Sequence, residues 1–221
     1  MYTPFKYRLE LNLGEAPEIE KNRFVGREAE IDAMKTHLSF YDESSQRKVL
    51  VISGPGGIGK TQLAIKFAKE CENEFSSIFW LSATDRVALR RSLSLMASRI
   101  FKTRRRNAHE MNGPEEEGRE VEQVLKWLSN AGNNRWLLIF DGYDSPEVPY
   151  ENNISSFDLR QYFPYVSHGR IIITTRSGRL SFGIPLLLKK LDDVQESLEI
   201  LVDRSERPNL KHGTTSINHL V

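Results

Sequence analysis

Residues 48–61 read Lys48-Val49-Leu50-Val51-Ile52-Ser53-Gly54-Pro55-Gly56-Gly57-Ile58-Gly59-Lys60-Thr61, an apolar run that passes directly into G-x-x-x-x-G-K-T. The run predicts a strand, and the pattern from Gln62 to Glu70 predicts a helix behind it. In that setting the glycines let successive backbone N–H groups turn inward around a polyphosphate. Lys60 can then reach the β/γ-phosphates, and the Thr61 hydroxyl can ligate Mg²⁺ at a helix N-terminus. Gly54, Pro55, Gly56, Gly57, Ile58, Gly59, Lys60, Thr61 and Gln62 are therefore the expected phosphate cradle, and a nucleoside triphosphate or diphosphate the expected ligand.

The flanking sequence alternates in the same way. Ile78-Phe79-Trp80-Leu81, Trp136 to Phe140, Arg170 to Thr174 and Ile184 to Leu188 read as further strands, with helices at about 86–101 and 119–130. Near-continuous apolar strands separated by helices predict an α/β fold: a three-layer sandwich around a mainly parallel sheet of about five strands. Before it, Phe24-Val25-Gly26-Arg27-Glu28 leads into a helix with Ile31, Met34 and Leu38 at helical spacing, and residues 5–13 alternate like an edge strand. Lys102 to Gly118 carries a basic run followed by Glu115-Glu116-Glu117 and reads as a solvated loop. Asp192-Asp193 caps a last helix, and the tail after Ser205 has no periodicity.

Bulk composition excludes several function classes. With 31 Lys+Arg against 30 Asp+Glu, the molecule has no strong field to draw it to nucleic acid or an acidic membrane. One cysteine, Cys71, rules out an intramolecular disulfide and fits a reducing compartment. No stretch has the length of a membrane span and the N-terminus lacks a secretory apolar region, so a cytoplasmic protein is expected.

A phosphate cradle needs a carboxylate on the Mg²⁺ side, and Asp141 closes the apolar strand 136–140 at the edge where phosphates would sit. The strand–helix unit between the cradle helix and that strand favours the division of P-loop proteins that inserts a strand between the two motifs. A Glu commonly follows the acid there, but Gly142 stands in its place, so Asp144 becomes the candidate for orienting water; a turn-forming Asp is the equal alternative. Arg170 to Arg176 ends in Thr-Thr-Arg and would bring Arg176 to the γ-phosphate, as a sensor or to stabilise charge; Arg179 is a weaker substitute.

Taken together, Phe24 to Glu28, the P-loop, Leu137 to Asp144 and Ile171 to Arg176 resemble, in order and spacing, the NB-ARC and related STAND-class NTPases, the nucleotide switches of plant and fungal NOD-like receptors. The resemblance spans about residues 20–203. It implies base-side positions at Val25 and Arg27, P-loop roles for Gly57, Gly59, Lys60, Thr61 and Gln62, metal ligation by Thr61 and Asp141, and a sensor at Arg176. It further implies ATP/ADP or GTP/GDP with Mg²⁺, slow hydrolysis, and self-association of a longer innate-immunity protein in the triphosphate state. The Asp-Gly-Tyr-Asp run stands closer to the NACHT branch. The domain division expected is an arm at 1–23, a nucleotide-binding domain at 24–191, and from 192 the first helix of a cut helical domain with a loose tail. Three rival functions remain at this level: a binding-only module, a P-loop kinase acting on a small molecule or nucleoside, and a scaffold whose nucleotide is only structural.

Overall fold

The structure is a computed structural model that describes residues 16–17, 26–40, 46–101, 114–144, 157–178 and 180–190. The expected N-terminal strand, Val25, the basic run 102–106, Arg179 and the helix from 192 lie outside those residues.

Five strands form one parallel sheet in the order β2-β3-β4-β1-β5, with β1 Lys48–Ser53, β2 Ser77–Ser82, β3 Trp136–Asp141, β4 Arg170–Thr175 and β5 Ile184–Leu187. The order matters for the site. Because β4 lies between β1 and β3, the strand carrying the cradle and the strand carrying Asp141 are not neighbours, which is the inserted-strand arrangement the sequence suggested.

Side chains alternate across the sheet because strand periodicity is two. Leu50 and Ile52 of β1, Ile78 and Trp80 of β2, and Leu137 and Ile139 of β3 pack with α1 (Glu28–Leu38) and α2 (Lys60–Glu70) on one face. Val51, Phe79, Leu81, Leu138 and Phe140 pack with α3 (Arg86–Phe101) and α4 (Pro114–Leu128) on the other. Both faces are covered, so the middles of β1 to β4 are apolar and their polar residues stand at the strand ends, as a parallel sheet between helices requires. β5 differs: its burial alternates along the edge, and Pro185, which has no N–H to give, is tolerated there.

One expectation needs correction. The helix read as starting near 119 starts at Pro114, so the acidic run belongs to its first turn rather than to a loop. Proline at the first helical position loses no hydrogen bond, because the first-turn N–H groups of a helix have no partner within it. A short 3₁₀ helix, Leu159–Tyr162, precedes β4.

Candidate functional site at the carboxyl edge of the sheet

The cradle starts where β1 ends. Gly54 has φ +150°, and a Cβ there would lie 2.8 Å from the Leu188 carbonyl oxygen. Leu188 in turn donates its N–H to Ser53 O at 2.8 Å, so the segment after β5 runs hard against the loop and only glycine fits at position 54. Farther along, Gly57 and Gly59 have φ +75° and +97°, and a Cβ at either would meet nothing within 4 Å. Gly59 is the N-cap of α2 and no side chain caps that end, so the dipole and first-turn N–H groups of α2 face the loop concavity.

Lys60 is the first residue of α2 and is buried, with Nζ donating to the carbonyls of Gly54 and Pro55 at 2.8 Å each. An ammonium carries three protons, so one is left for an acceptor in the cradle. Burial pushes its pKa below the ordinary lysine value; Asp144 opposes this, Arg176 adds to it, and Asp141 opposes it in turn. Lys60 therefore feels Asp144, Arg176 and Asp141 across the loop. Ile58 packs under Gly54, and Gln62 is half-buried on the first turn of α2.

Asp141 is the last residue of β3, and its Oδ1 accepts the Thr61 hydroxyl at 2.8 Å. It also accepts the Thr174 hydroxyl at 2.6 Å, from the neighbouring strand β4. The turn that follows is fastened to the same residue: Gly142 N donates to Thr174 Oγ1 and Tyr143 N to Thr174 O, both at 2.9 Å. Tyr143 is fully buried and its hydroxyl donates to Phe157 O at 2.7 Å, which fixes the far side of the turn. Sequence reasoning did not single out Thr174. A threonine near the end of a strand reads as ordinary β-propensity, and only the β3–β4 pairing brings it to Asp141.

Arg176 follows β4. Its backbone N–H and Nε both donate to Asp144, and its Cδ lies 3.8 Å from where a Gly56 Cβ would stand. Arg176 and Asp144 are thus brought to the loop, but each is held by the other. Arg27, expected on the base side, precedes α1 in the left-handed conformation with φ 70°. It donates Nη1 to Glu30 and Nη2 to Lys189 O, at 2.7 Å each. That clamp closes the start of α1 onto the chain leaving β5, beside the segment that crowds Gly54.

Among the described residues no group of three or more His, Cys, Asp or Glu converges to hold a metal. Mg²⁺ in nucleotide sites takes only one or two protein oxygens, and a hydroxyl and a carboxylate 2.8 Å apart are hard donors of that kind, so the residues fit it.

A glycine cradle between β1 and α2, a buried lysine, and a strand-end acid joined to the threonine after it define a P-loop NTPase fold and site. The comparisons are narrower. The NB-ARC domain model matches residues 27–184, and the chain belongs to the NB-ARC family, the nucleotide-binding domains of STAND-class P-loop NTPases. A nucleotide-binding leucine-rich repeat (NLR)-like protein of Hyaloscypha variabilis is 30% identical over 167 residues, 72% of this chain. This chain spans only 16% of that relative's length. A solved structure of the Aeropyrum pernix ORC2 protein (ADPNP-ADP complexes) covers 85% of this chain and 54% of its own, at 16% identity and a TM-score of 0.45, too loose a likeness to bear on function. Among the described residues no helix is long and apolar enough to cross a membrane.

Proposed function

We propose that residues 24–191 bind ATP/ADP or GTP/GDP with Mg²⁺ and hydrolyse the triphosphate slowly, as the cytoplasmic switch of a longer NLR-like protein. The observation that carries this reading is the 2.8 Å bond from Thr61 to Asp141, which joins the start of α2 to the end of β3 at the mouth of the cradle. Thr61 and Asp141 would hold Mg²⁺, which when bound supplies charge neutralisation on the phosphate oxygens. Lys60 binds the β/γ-phosphates, the N-terminal turn of α2 binds the phosphate oxygens beside them, and Arg176 senses the γ-phosphate. Asp144 orients the attacking water once Arg176 turns to phosphate. Val25 and Arg27 line the base side.

The switch follows from differential binding. A γ-phosphate held by Lys60 and Arg176 favours one arrangement of the segments around the site, and its loss favours another. In the longer protein the triphosphate state self-associates, and the residues from 192 onward open a helical domain over the nucleotide, with residues 1–23 as an arm.

A binding-only module is the second reading, and two observations favour it: Gly142 stands where a catalytic Glu commonly follows the acid, and both Asp144 oxygens are taken by Arg176. Phosphate release from Mg²⁺-ATP and from Mg²⁺-GTP, with Asp141→Ala alongside, separates the two. Release that disappears in the variant supports the switch; bound nucleotide with no release over long incubation selects the binding-only module.

A further inference from the structure

Thr174 occupies a position that none of the expected site residues explains. It is 1% exposed, and its one hydroxyl proton goes to Asp141 Oδ1 at 2.6 Å while its own Oγ1 accepts the Gly142 N–H at 2.9 Å. Its carbonyl accepts the Tyr143 N–H, so a single β4 residue binds three consecutive residues of the turn that carries the acid. A hydroxyl that both donates and accepts has no rotational freedom left. The carboxylate it touches is therefore fixed from two sides, by Thr61 of α2 and Thr174 of β4, with both donors on the same oxygen. The main chain of Asp141 is held separately, since Ala83, just after β2, donates its N–H to Asp141 O at 2.8 Å.

We propose that Thr174 is the positioning residue of the Mg²⁺ side of this site: its hydroxyl holds the Asp141 carboxylate in the rotamer that keeps Oδ1 on Thr61 and leaves Oδ2 for the cation or its water. This deepens the Mg²⁺-nucleotide reading above and rests on it. The role is one of orientation, and Thr174 itself touches neither nucleotide nor metal. A carboxylate that can swing loses affinity for a cation that demands near-ideal geometry, and supporting hydrogen bonds around a metal site are commonly worth about 10- to 100-fold in metal affinity. Valine has the same shape and the same strand preference as threonine but no hydroxyl, whereas serine keeps the hydroxyl and loses the methyl.

The test titrates Mg²⁺ against the chain with the imido analogues of ATP and GTP, and reads binding rather than turnover. Thr174→Val is expected to raise the Mg²⁺ concentration for half-maximal tightening about 10- to 100-fold while metal-free analogue binding stays unchanged, and Thr174→Ser is expected to behave as wild type. An unchanged Mg²⁺ midpoint in Thr174→Val overturns the proposal, as does a Thr174→Ser variant as defective as valine, because the methyl would then be what matters. Should Thr174→Val fail to fold, Thr174→Ala against Thr174→Ser makes the same comparison. Wild-type protein that binds neither analogue at any Mg²⁺ concentration overturns the underlying nucleotide reading and the proposal with it.

Discussion

Arg176 holds Asp144 with two donors, its backbone N–H on Oδ1 at 2.5 Å and its Nε on Oδ2 at 2.6 Å. The candidate γ-phosphate sensor and the candidate water-orienting group therefore compete for each other. The Arg176 side chain is 66% exposed, so the pair is of the solvent-screened kind, worth at most about 1 kcal/mol. A phosphate group, with more charge and a better-shaped set of acceptors, can displace it. Asp144→Asn weakens the pair and should raise the preference for triphosphate over diphosphate about two- to fivefold, while slowing phosphate release. Competition binding of the four nucleotides and a phosphate assay check both parts. Faster release would remove Asp144 from the water-orienting role.

Arg176→Ala should abolish the preference for triphosphate and leave diphosphate affinity close to wild type, since the sensor meets only the γ-phosphate. A variant that loses both affinities equally would instead place Arg176 in general phosphate binding.

For Lys60→Ala the expectation is loss of nucleotide binding by about ten- to hundredfold or more, the worth of a charge-assisted hydrogen bond in a buried site. Equilibrium dialysis with ADP and GDP reads it. Unchanged affinity would remove the cradle assignment.

Restoring the commonly found acid by Gly142→Glu should not create a fast enzyme. Gly142 has φ +79°, its N–H is committed to Thr174, and a Cβ would sit 3.0 Å from Thr84 Cγ2. A side chain in the left-handed region costs about 1–2 kcal/mol before the Thr84 contact is counted. A lower urea midpoint with no gain in phosphate release is the expected pair of results.

Cys71 is buried, and burial pushes its thiol from an ordinary value of 9.0 up to about 11, with Glu74 adding to the shift. A thiol whose folded pKa lies above its unfolded one stabilises the fold fully below the unfolded value. That contribution is lost as pH rises from there through about 11. The native protein should therefore resist alkylation at pH 8 and react once unfolded in urea, and its urea midpoint should fall across that alkaline window. Rapid native alkylation would contradict the burial.

Most of the fold could be read from residues 48–61 and the apolar runs that follow, because a strand covered on both faces must be apolar throughout and a polyphosphate loop must be glycine-rich. Asp141 was legible for the same reason, as an acid closing an apolar strand. What could not be read depends on which strands lie side by side. Thr174 meets Asp141, Arg176 meets Asp144 and Leu188 crowds Gly54 only because β4 pairs with β1 and β3 and β5 pairs with β1. No period along the chain encodes those meetings. The start of α4 at Pro114 was missed because an acidic run reads as a loop until its place in a helix's first turn is known.

The most direct measurement of the central claim, that Thr61 and Asp141 form the metal side of a nucleotide site, is the affinity of the purified chain for the imido analogues of ATP and GTP with and without Mg²⁺, in wild type and Asp141→Ala. The predicted result is tighter binding with Mg²⁺ in wild type and no Mg²⁺ effect in the variant, with metal-free binding retained by both. Equal binding with and without Mg²⁺ in wild type, or an undiminished Mg²⁺ effect in Asp141→Ala, would contradict it.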